Sequence, residues 1–251
     1  MSETTLFLTC ADGSELAYEH VPGAEPGVLF CPGFHSHMQG LKALELRQWA
    51  VGRGRQYTRF DYYGHGESSG EFEQGSIGRW LADTVEVFDR VTRGRQVVVG
   101  SSMGGWIMLL LAQLRPERIA GLLGIAAAPD FTERLRRRLS AAQQLELAER
   151  GYIDLPTQYD DGTPYRITRA LLAEAAEHLL LETTMAIDAP LRLIHGQCDE
   201  SVPWEVSMQI AAGVRSEDVE MLLVKHGDHR LSEPNDLQRM LLTLERLLAE
   251  V

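Results

Sequence analysis

The chain has 251 residues and a formal net charge of −12, a sign that argues against a nucleic-acid role. Apolar residues make up 44% and charged residues 24%, the balance of a soluble globular protein with ample material for a large core. The three cysteines, Cys10, Cys31 and Cys198, are scattered and odd in number, which points to a reducing compartment. Residues 1–11 lack a basic segment followed by an apolar one, and no apolar run is long enough to span a bilayer, so a cytoplasmic protein without an integral membrane segment is expected.

Residues 6–9 and 15–19 read as two short strands joined by the turn Ala11-Asp12-Gly13-Ser14. Residues 21–27, with their Pro and Gly, read as a loop. An apolar strand at 28–31 runs into Pro32-Gly33-Phe34-His35-Ser36-His37, and a helix at 42–52 offers Leu44, Leu46, Trp49 and Ala50 to a core. A strand at 57–60 precedes the turn-rich stretch 61–68. Residues 77–91 place Trp80, Leu81, Thr84, Val85 and Phe88 at helical spacing. Val97-Val98-Val99 is a buried strand that enters a small-residue turn and then the apolar helix 106–114, which stops near Pro116. Residues 119–127 form another apolar strand. Alternation of apolar strands with helices predicts a mostly parallel sheet covered by helices on both faces. In such sheets ligands bind outside the carboxyl ends of the strands, and both Phe34 and Ser102 follow strand ends.

From 129 the pattern changes. Asp130-Phe131-Thr132-Glu133 has the spacing of a capping box, residues 131–150 read as one helix, and 152–165 reads as irregular around Pro156, Gly162 and Pro164. Residues 168–181 are helical again. With no strand expected there, 129–189 is predicted to be a small helical cap inserted into a single domain spanning 1–251. The basic run Arg134-Leu135-Arg136-Arg137-Arg138 falls in this segment and reads either as a solvated helix face or as a patch for an anionic substrate or acidic partner. The sheet resumes at 191–195 and 219–224. The last helix aligns Leu237, Met240, Leu241, Leu244, Leu247 and Leu248 in one apolar stripe for the core.

Gly100-x-Ser102-x-Gly104 between a strand and a helix is the nucleophile-elbow pattern. A serine hydroxyl is a poor nucleophile at neutral pH and needs a base, which in turn needs an orienting acid. Two loops downstream of Ser102 offer these groups. His195-Gly196-Gln197-Cys198-Asp199-Glu200 supplies Asp199 as the acid, with Glu200 as the alternative. His226-Gly227-Asp228-His229-Arg230 supplies His229 as the base, because Gly227-Asp228 lets the chain turn back toward the sheet rim, while His226 reads as structural. Developing negative charge on the substrate needs two backbone donors, expected from the N–H groups of Met103 and Phe34. His35 and His37 are expected in the substrate pocket. Cys31, His35 and His37 lack a convincing fourth ligand, so neither a metal nor a cofactor is expected.

These strings together resemble the α/β-hydrolases over nearly the whole chain. Pro32-Gly33-Phe34 with Met38-x-Gly40-x-Lys42-Ala43-Leu44, then Gly100-Ser101-Ser102-Met103-Gly104-Gly105-Trp106, Val202-Pro203-Trp204 and Lys225-His226-x-Asp228-His229-Arg230, are similar to the family of mitochondrial palmitoyl-protein thioesterases and acyl-glucuronide esterases and its bacterial relatives. The resemblance implies Ser102, Asp199 and His229 as a triad, a small helical cap, and Trp204 as a further pocket residue. It also implies a serine hydrolase whose substrate is a small-molecule ester or thioester or an S-acylated protein. The alternatives are a peptidase of the prolyl aminopeptidase kind and a non-catalytic hydrolase-fold binding protein.

Overall fold

Short apolar strands alternating with amphipathic helices bury their apolar faces most simply as a sheet between two helical layers. The computed structural model, which describes residues 4–156 and 164–251, has this architecture. Strands β1 (Leu6–Thr9) and β2 (Glu15–Val21) form an antiparallel hairpin. The strands β3 (Ala24–Cys31), β4 (Arg55–Phe60), β5 (Gln96–Ser101) and β6 (Ile119–Ile125) follow. A second hairpin, β7 (Tyr152–Leu155) with β8 (Tyr165–Thr168), stands apart from the main sheet, which ends with β9 (Leu191–Gly196) and β10 (Val219–Val224). The eight-stranded sheet has the order β1-β2-β4-β3-β5-β6-β9-β10. From β4 to β10 every neighbouring pair is parallel.

Side chains alternate across β5. Val97 and Val99 pack with Ala43, Leu46 and Ala50 of α1 (Leu41–Arg53) and with the apolar stripe of α8 (Pro234–Glu250). Val98 points the other way, into the core built with α2 (Ile77–Arg90) and α3 (Met103–Leu114). The expected two-faced α/β arrangement is therefore borne out, and the period of two along the strand is its cause. Helix α3 is buried at every residue from Met103 to Ala112, as a helix apolar on all sides must be.

Three expectations are corrected. Residues 24–27 are strand and not loop. Pro26 has no N–H to give to a ladder, and it sits where the register of β3 on β4 shifts between Ala24 and Val28, so the irregularity accommodates it. The helix expected over 131–150 is two helices, α4 (Phe131–Arg138) and α5 (Ala141–Arg150). Ser140 and Gln143 form a reciprocal capping box, with Gln143 N–H donating to Ser140 Oγ at 3.2 Å and Ser140 N–H to Gln143 Oε1 at 3.0 Å. That box starts a new helix. The box expected at Asp130 does not form: Asp130 is left-handed (φ 56°), and its carboxylate accepts the N–H groups of Leu180 and Leu181, each at 2.9 Å.

The third correction is the β7–β8 hairpin, in a stretch read as strandless. Ile153 and Ile167 are cross-strand partners and both buried. On the other face Arg166 pairs with Asp154 at 2.8 Å and lies over the Tyr152 ring. The alternation is present in the sequence, but only four residues long on each side. Gly162, part of the expected irregular stretch, lies outside the described residues. Helix α6 (Arg169–Ala175) begins where expected, capped by Thr168 Oγ1, which accepts the Leu171 N–H at 3.0 Å, but it gives way to a single 3-10 turn at Ala176–His178 and ends short of the expected 181. Helix α7 (Glu205–Gly213) connects β9 to β10. Among the described residues no helix is long and apolar enough to cross a membrane.

Candidate active site

Ser102 sits between β5 and α3 with φ 54° and ψ −119°, a conformation L-residues rarely adopt. Such a residue costs of order 1–3 kcal/mol and persists only where its surroundings determine it. Here the Ser102 N–H donates to the Ile125 carbonyl at 2.9 Å, and the Ser102 carbonyl accepts from Gly105 and Ala128 at 2.9 and 3.0 Å. The glycines are explained by contact. A Cβ on Gly104 would collide with the Cys31 and Pro32 carbonyl oxygens, and one on Gly100 with the Gly104 carbonyl. The turn therefore presses α3 against the end of β3, and the Phe34 loop and Ser102 come to one rim.

The histidine loop follows β10. Gly227 N–H donates to Val224 O at 3.0 Å, and its carbonyl takes the Cys198 N–H at 2.9 Å, which ties this loop to the acid loop after β9. Ser102 Oγ–H donates to His229 Nε2 at 3.0 Å, and His229 Nδ1–H donates to Asp199 Oδ2 at 2.7 Å. The three groups singled out in the sequence thus meet in one hydrogen-bonded chain. The other candidates do not join it. Glu200 is exposed, His226 is exposed, and Asp228 Oδ1 accepts the Leu231 N–H at 2.9 Å to close the turn.

Asp199 is held by four donors. Oδ1 takes the N–H groups of Ser201 and Val202 at 2.9 and 2.8 Å, and Oδ2 takes His195 at 3.1 Å besides His229. Burial alone pushes this carboxyl upward, but the hydrogen bonds from His195 and His229 outweigh burial and hold it well below the usual carboxylate range. It is an anion at any working pH. His195 was not singled out by the sequence. Its Nε2 faces two acceptors, Asp199 Oδ2 and the Val202 carbonyl, each at 3.1 Å, so Nε2 carries the proton and Nδ1 accepts from Ser207 Oγ at 2.7 Å. The only signal in the sequence was a histidine at the end of an apolar strand, four residues before the acid.

Ser102 and His229 open onto a cleft of about 370 Å³. Phe34, His35, His37 and Met103 line it, as expected. Trp204 does not. It stands at the start of α7, where its carbonyl accepts the Ser207 N–H at 3.0 Å, and Val202 lines the cleft instead. Cys31 is fully buried, away from His35 and His37 at the cleft, and burial pushes its thiol up to about 12. The Phe34 ring packs edge-on against Phe72, Trp80, Phe131 and Tyr165, and His35, itself left-handed at φ 57°, stacks on Tyr165 at 4.6 Å. The segment between β6 and β9 thus contributes α4 and β8 to the wall over the rim. The N–H of Met103 is the first of α3 and has no intrahelical partner.

Comparison with known proteins gives the affiliation. The family model described as serine aminopeptidase, S33, matches residues 24–153. The human protein named palmitoyl-protein thioesterase ABHD10, mitochondrial, is 38% identical over 242 residues, which are 96% of this chain and 79% of that protein. The chain belongs to the ABHD10 family of α/β-hydrolases. The structure of mouse ABHD10 superposes on this α/β-hydrolase with a TM-score of 0.93 at 37% identity, covering 98% of this chain and 99% of that one. A putative hydrolase from Agrobacterium vitis superposes with a TM-score of 0.94 at 33% identity, covering 99% and 100%. The family resemblance read from the motif strings is borne out, and the α/β-hydrolase fold accounts for both sheet and helix layers.

Proposed function

We propose that this α/β-hydrolase cleaves thioester or carboxylester bonds through Ser102, His229 and Asp199 and an acyl-enzyme intermediate. The observation that carries the reading is the unbroken hydrogen-bonded chain from Ser102 Oγ through His229 to Asp199, at 3.0 and 2.7 Å, on the rim of an open cleft. His229 Nε2 takes the serine proton as Oγ attacks the acyl carbon. The backbone N–H groups of Phe34 and Met103 hold the oxyanion of the tetrahedral intermediate. Collapse breaks the bond to the leaving group, which departs with the proton from His229. Water, deprotonated in turn by His229, attacks the acyl-enzyme and releases the acid. Residues 129–189 act as the cap of a single domain and help to bound the acyl site. The name of the ABHD10 relatives supports S-acyl substrates, and the free thiols of Cys10, Cys31 and Cys198 fit a reducing compartment such as the cytoplasm.

An aminopeptidase reading is less well supported by the site. Lys42, Arg134, Arg138 and Arg230 all line the cleft, and this cationic wall repels the free α-ammonium of a peptide. A fluorophosphonate probe tests the proposal. It should label the wild-type protein once, at Ser102, and Ser102→Ala should be unlabelled and lose at least about three orders of magnitude in ester turnover. Ser101→Ala should stay labelled. Wild-type-like hydrolysis by folded Ser102→Ala protein would sink the assignment.

A further inference from the structure

Strand β10 ends the sheet on the side away from β1, and its outer edge is open among the described residues. The Asp218 and Val224 carbonyls point inward, accepting the N–H groups of Leu191 and Gln197 at 2.9 Å each. Main-chain groups alternate in direction along a strand, so those of Val219, Met221 and Leu223 point outward. Edge strands are commonly blunted by a charge, a proline or a bulge. β10 instead keeps an unbroken register on β9 from Val219 to Val224 and exposes Met221 and Leu222, at 36% and 40%. Its one charge, Glu220, is already answered by Arg192 Nε at 3.5 Å.

Side chains alternate as well. Val219 packs toward the core shared with Val206 and Ile210 of α7, whereas Val224 packs toward α8. The row on the α7 face therefore reads Glu217, Val219, Met221, Leu223, Lys225, with the two charged residues flanking the strand. Both are exposed, and among the described residues neither has an ion-pair partner. Turned through 180° about Met221, the row is its own complement. Met221 meets Met221, Val219 meets Leu223, and each Glu217 meets a Lys225. A two-fold axis normal to the sheet keeps each face on its own side, as antiparallel neighbours require.

We propose that the β10 edge is the docking surface for a second copy of this chain, paired antiparallel about a two-fold axis at Met221, so that two eight-stranded sheets run on as one. Val219, Met221 and Leu223 then give their outward N–H and C=O groups to the partner strand. The occupant is a copy of this chain because the charged ends of the row complement each other only when the same row returns reversed. A strand edge alone falls short of the roughly 1,000 Å² that a stable interface needs, so the contact extends onto α7 and α8 beside it. The two strands run in opposite directions. The Ser102 rims, at the carboxyl ends of the parallel strands, therefore face opposite ways and both clefts stay open. The inference is independent of the reaction at Ser102.

Sedimentation velocity of the full chain at micromolar concentrations and above tests this. The wild type should approach twice the protomer mass of 28.0 kDa and go no further, because a two-fold contact closes on itself. Met221→Lys sets two ammonium groups against each other on the axis while leaving the ladder to β9 intact, and should raise the dissociation constant by about a hundredfold or more. Glu217→Lys and Lys225→Glu should each raise it by about tenfold, and the double exchange should return it close to the wild-type value. Circular dichroism checks that each variant is folded. Hydrogen exchange on the wild type needs no variant: the amides of Val219, Met221 and Leu223 should slow as concentration rises, while those of Glu220 and Leu222, which face β9, should not change. A wild type that stays monomeric overturns the inference and leaves the edge to a strand of some other chain. A dimer undiminished in Met221→Lys, a double exchange no better than either single one, or exchange at the three outward amides that ignores concentration would each overturn it too.

Discussion

His195 holds Asp199 from the strand side, donating from Nε2 to Asp199 Oδ2 across 3.1 Å. The same oxygen accepts from His229, so the position of the proposed base depends on a second, fully buried histidine. His195→Gln should lower kcat by about tenfold while leaving the KM for a neutral ester little changed. The loss of the contacts to Ser207 and the Val202 carbonyl should cost about 1–3 kcal/mol in urea unfolding. Ser207→Ala should give a smaller version of both effects. A His195→Gln enzyme with full kcat would show that Asp199 needs no support beyond its backbone donors.

Asp199 and its neighbour Glu200 make a sharp comparison, since one side chain is fully buried and the other is exposed. Asp199→Asn should cut kcat/KM by about three to four orders of magnitude, because the imidazole loses the partner that fixes its tautomer. Glu200→Gln should stay within about twofold. The reverse order of effects would reassign the acid.

The pH dependence of stability has a separate origin at Asp83, on α2. It is 2% exposed and accepts from the Tyr63 N–H at 2.8 Å and Arg79 Nε at 2.9 Å, tying α2 to the loop after β4. Burial is the largest influence on it and pushes its carboxyl up to about 6, against these partners. Between the unfolded value of about 3.9 and that of the folded state, the folded protein keeps a proton the unfolded chain has released. Stability from this group is therefore full below about pH 4 and is lost as pH rises through about 6. Asp83→Asn should remove the dependence, so the unfolding free energy of the wild type relative to the variant should fall by about 2 kcal/mol from pH 4 to pH 7. A difference that stays constant across that range would refute it.

Asp130 joins the start of α4 to the chain beyond α6 through the Leu180 and Leu181 N–H groups. Asp130→Ala leaves both donors without their acceptor. The expected results are a loss of about 1–3 kcal/mol of stability and faster hydrogen exchange at those two amides than in the wild type, with exchange in the main sheet unchanged. Unchanged exchange at Leu180 and Leu181 would show that the contact does not hold this segment.

The sequence was most legible where one physical demand dominated. The elbow needs small residues because Cys31, Pro32 and Gly104 backbone atoms leave no room for a Cβ, so its glycines can be read without coordinates. Ser102, His229 and Asp199 follow strand ends in an order the fold explains. Legibility failed where local signals competed. Asp130 with Glu133 and Ser140 with Gln143 are both box-like, and only the tertiary pull of Leu180 and Leu181 on Asp130 decides between them. The β7–β8 hairpin is too short for its alternation to outweigh Pro156 and Pro164. His195 is held by a partner distant in sequence, Ser207, which nothing in its own strand announces. Trp204 entered only through a motif string, and its neighbour Val202 takes the wall position.

Phe131 and Leu135 of α4, Leu155 of β7, and Tyr165 and Ile167 of β8 line one apolar side of the cleft. Each methylene buried against that wall contributes up to about 0.8 kcal/mol, roughly a fourfold gain in kcat/KM if the contact is fully formed in the transition state. The gain should continue along the chain and stop where the wall ends, because further methylenes return to water. A thiolate is a far weaker base than an amine anion, so its departure depends less on how far the proton of His229 has moved, and a thioester should be cleaved faster than an amide of the same acid. The measurement is kcat/KM for thioesters from acetyl to palmitoyl, with matched amides and aminoacyl amides alongside. Leu135→Asp, which places a carboxylate on the apolar wall, should flatten the rise for long chains more than it slows acetyl transfer to water. A chain-length profile already flat in the wild type, together with faster amide cleavage, would defeat the acyl-thioester reading and favour a peptidase.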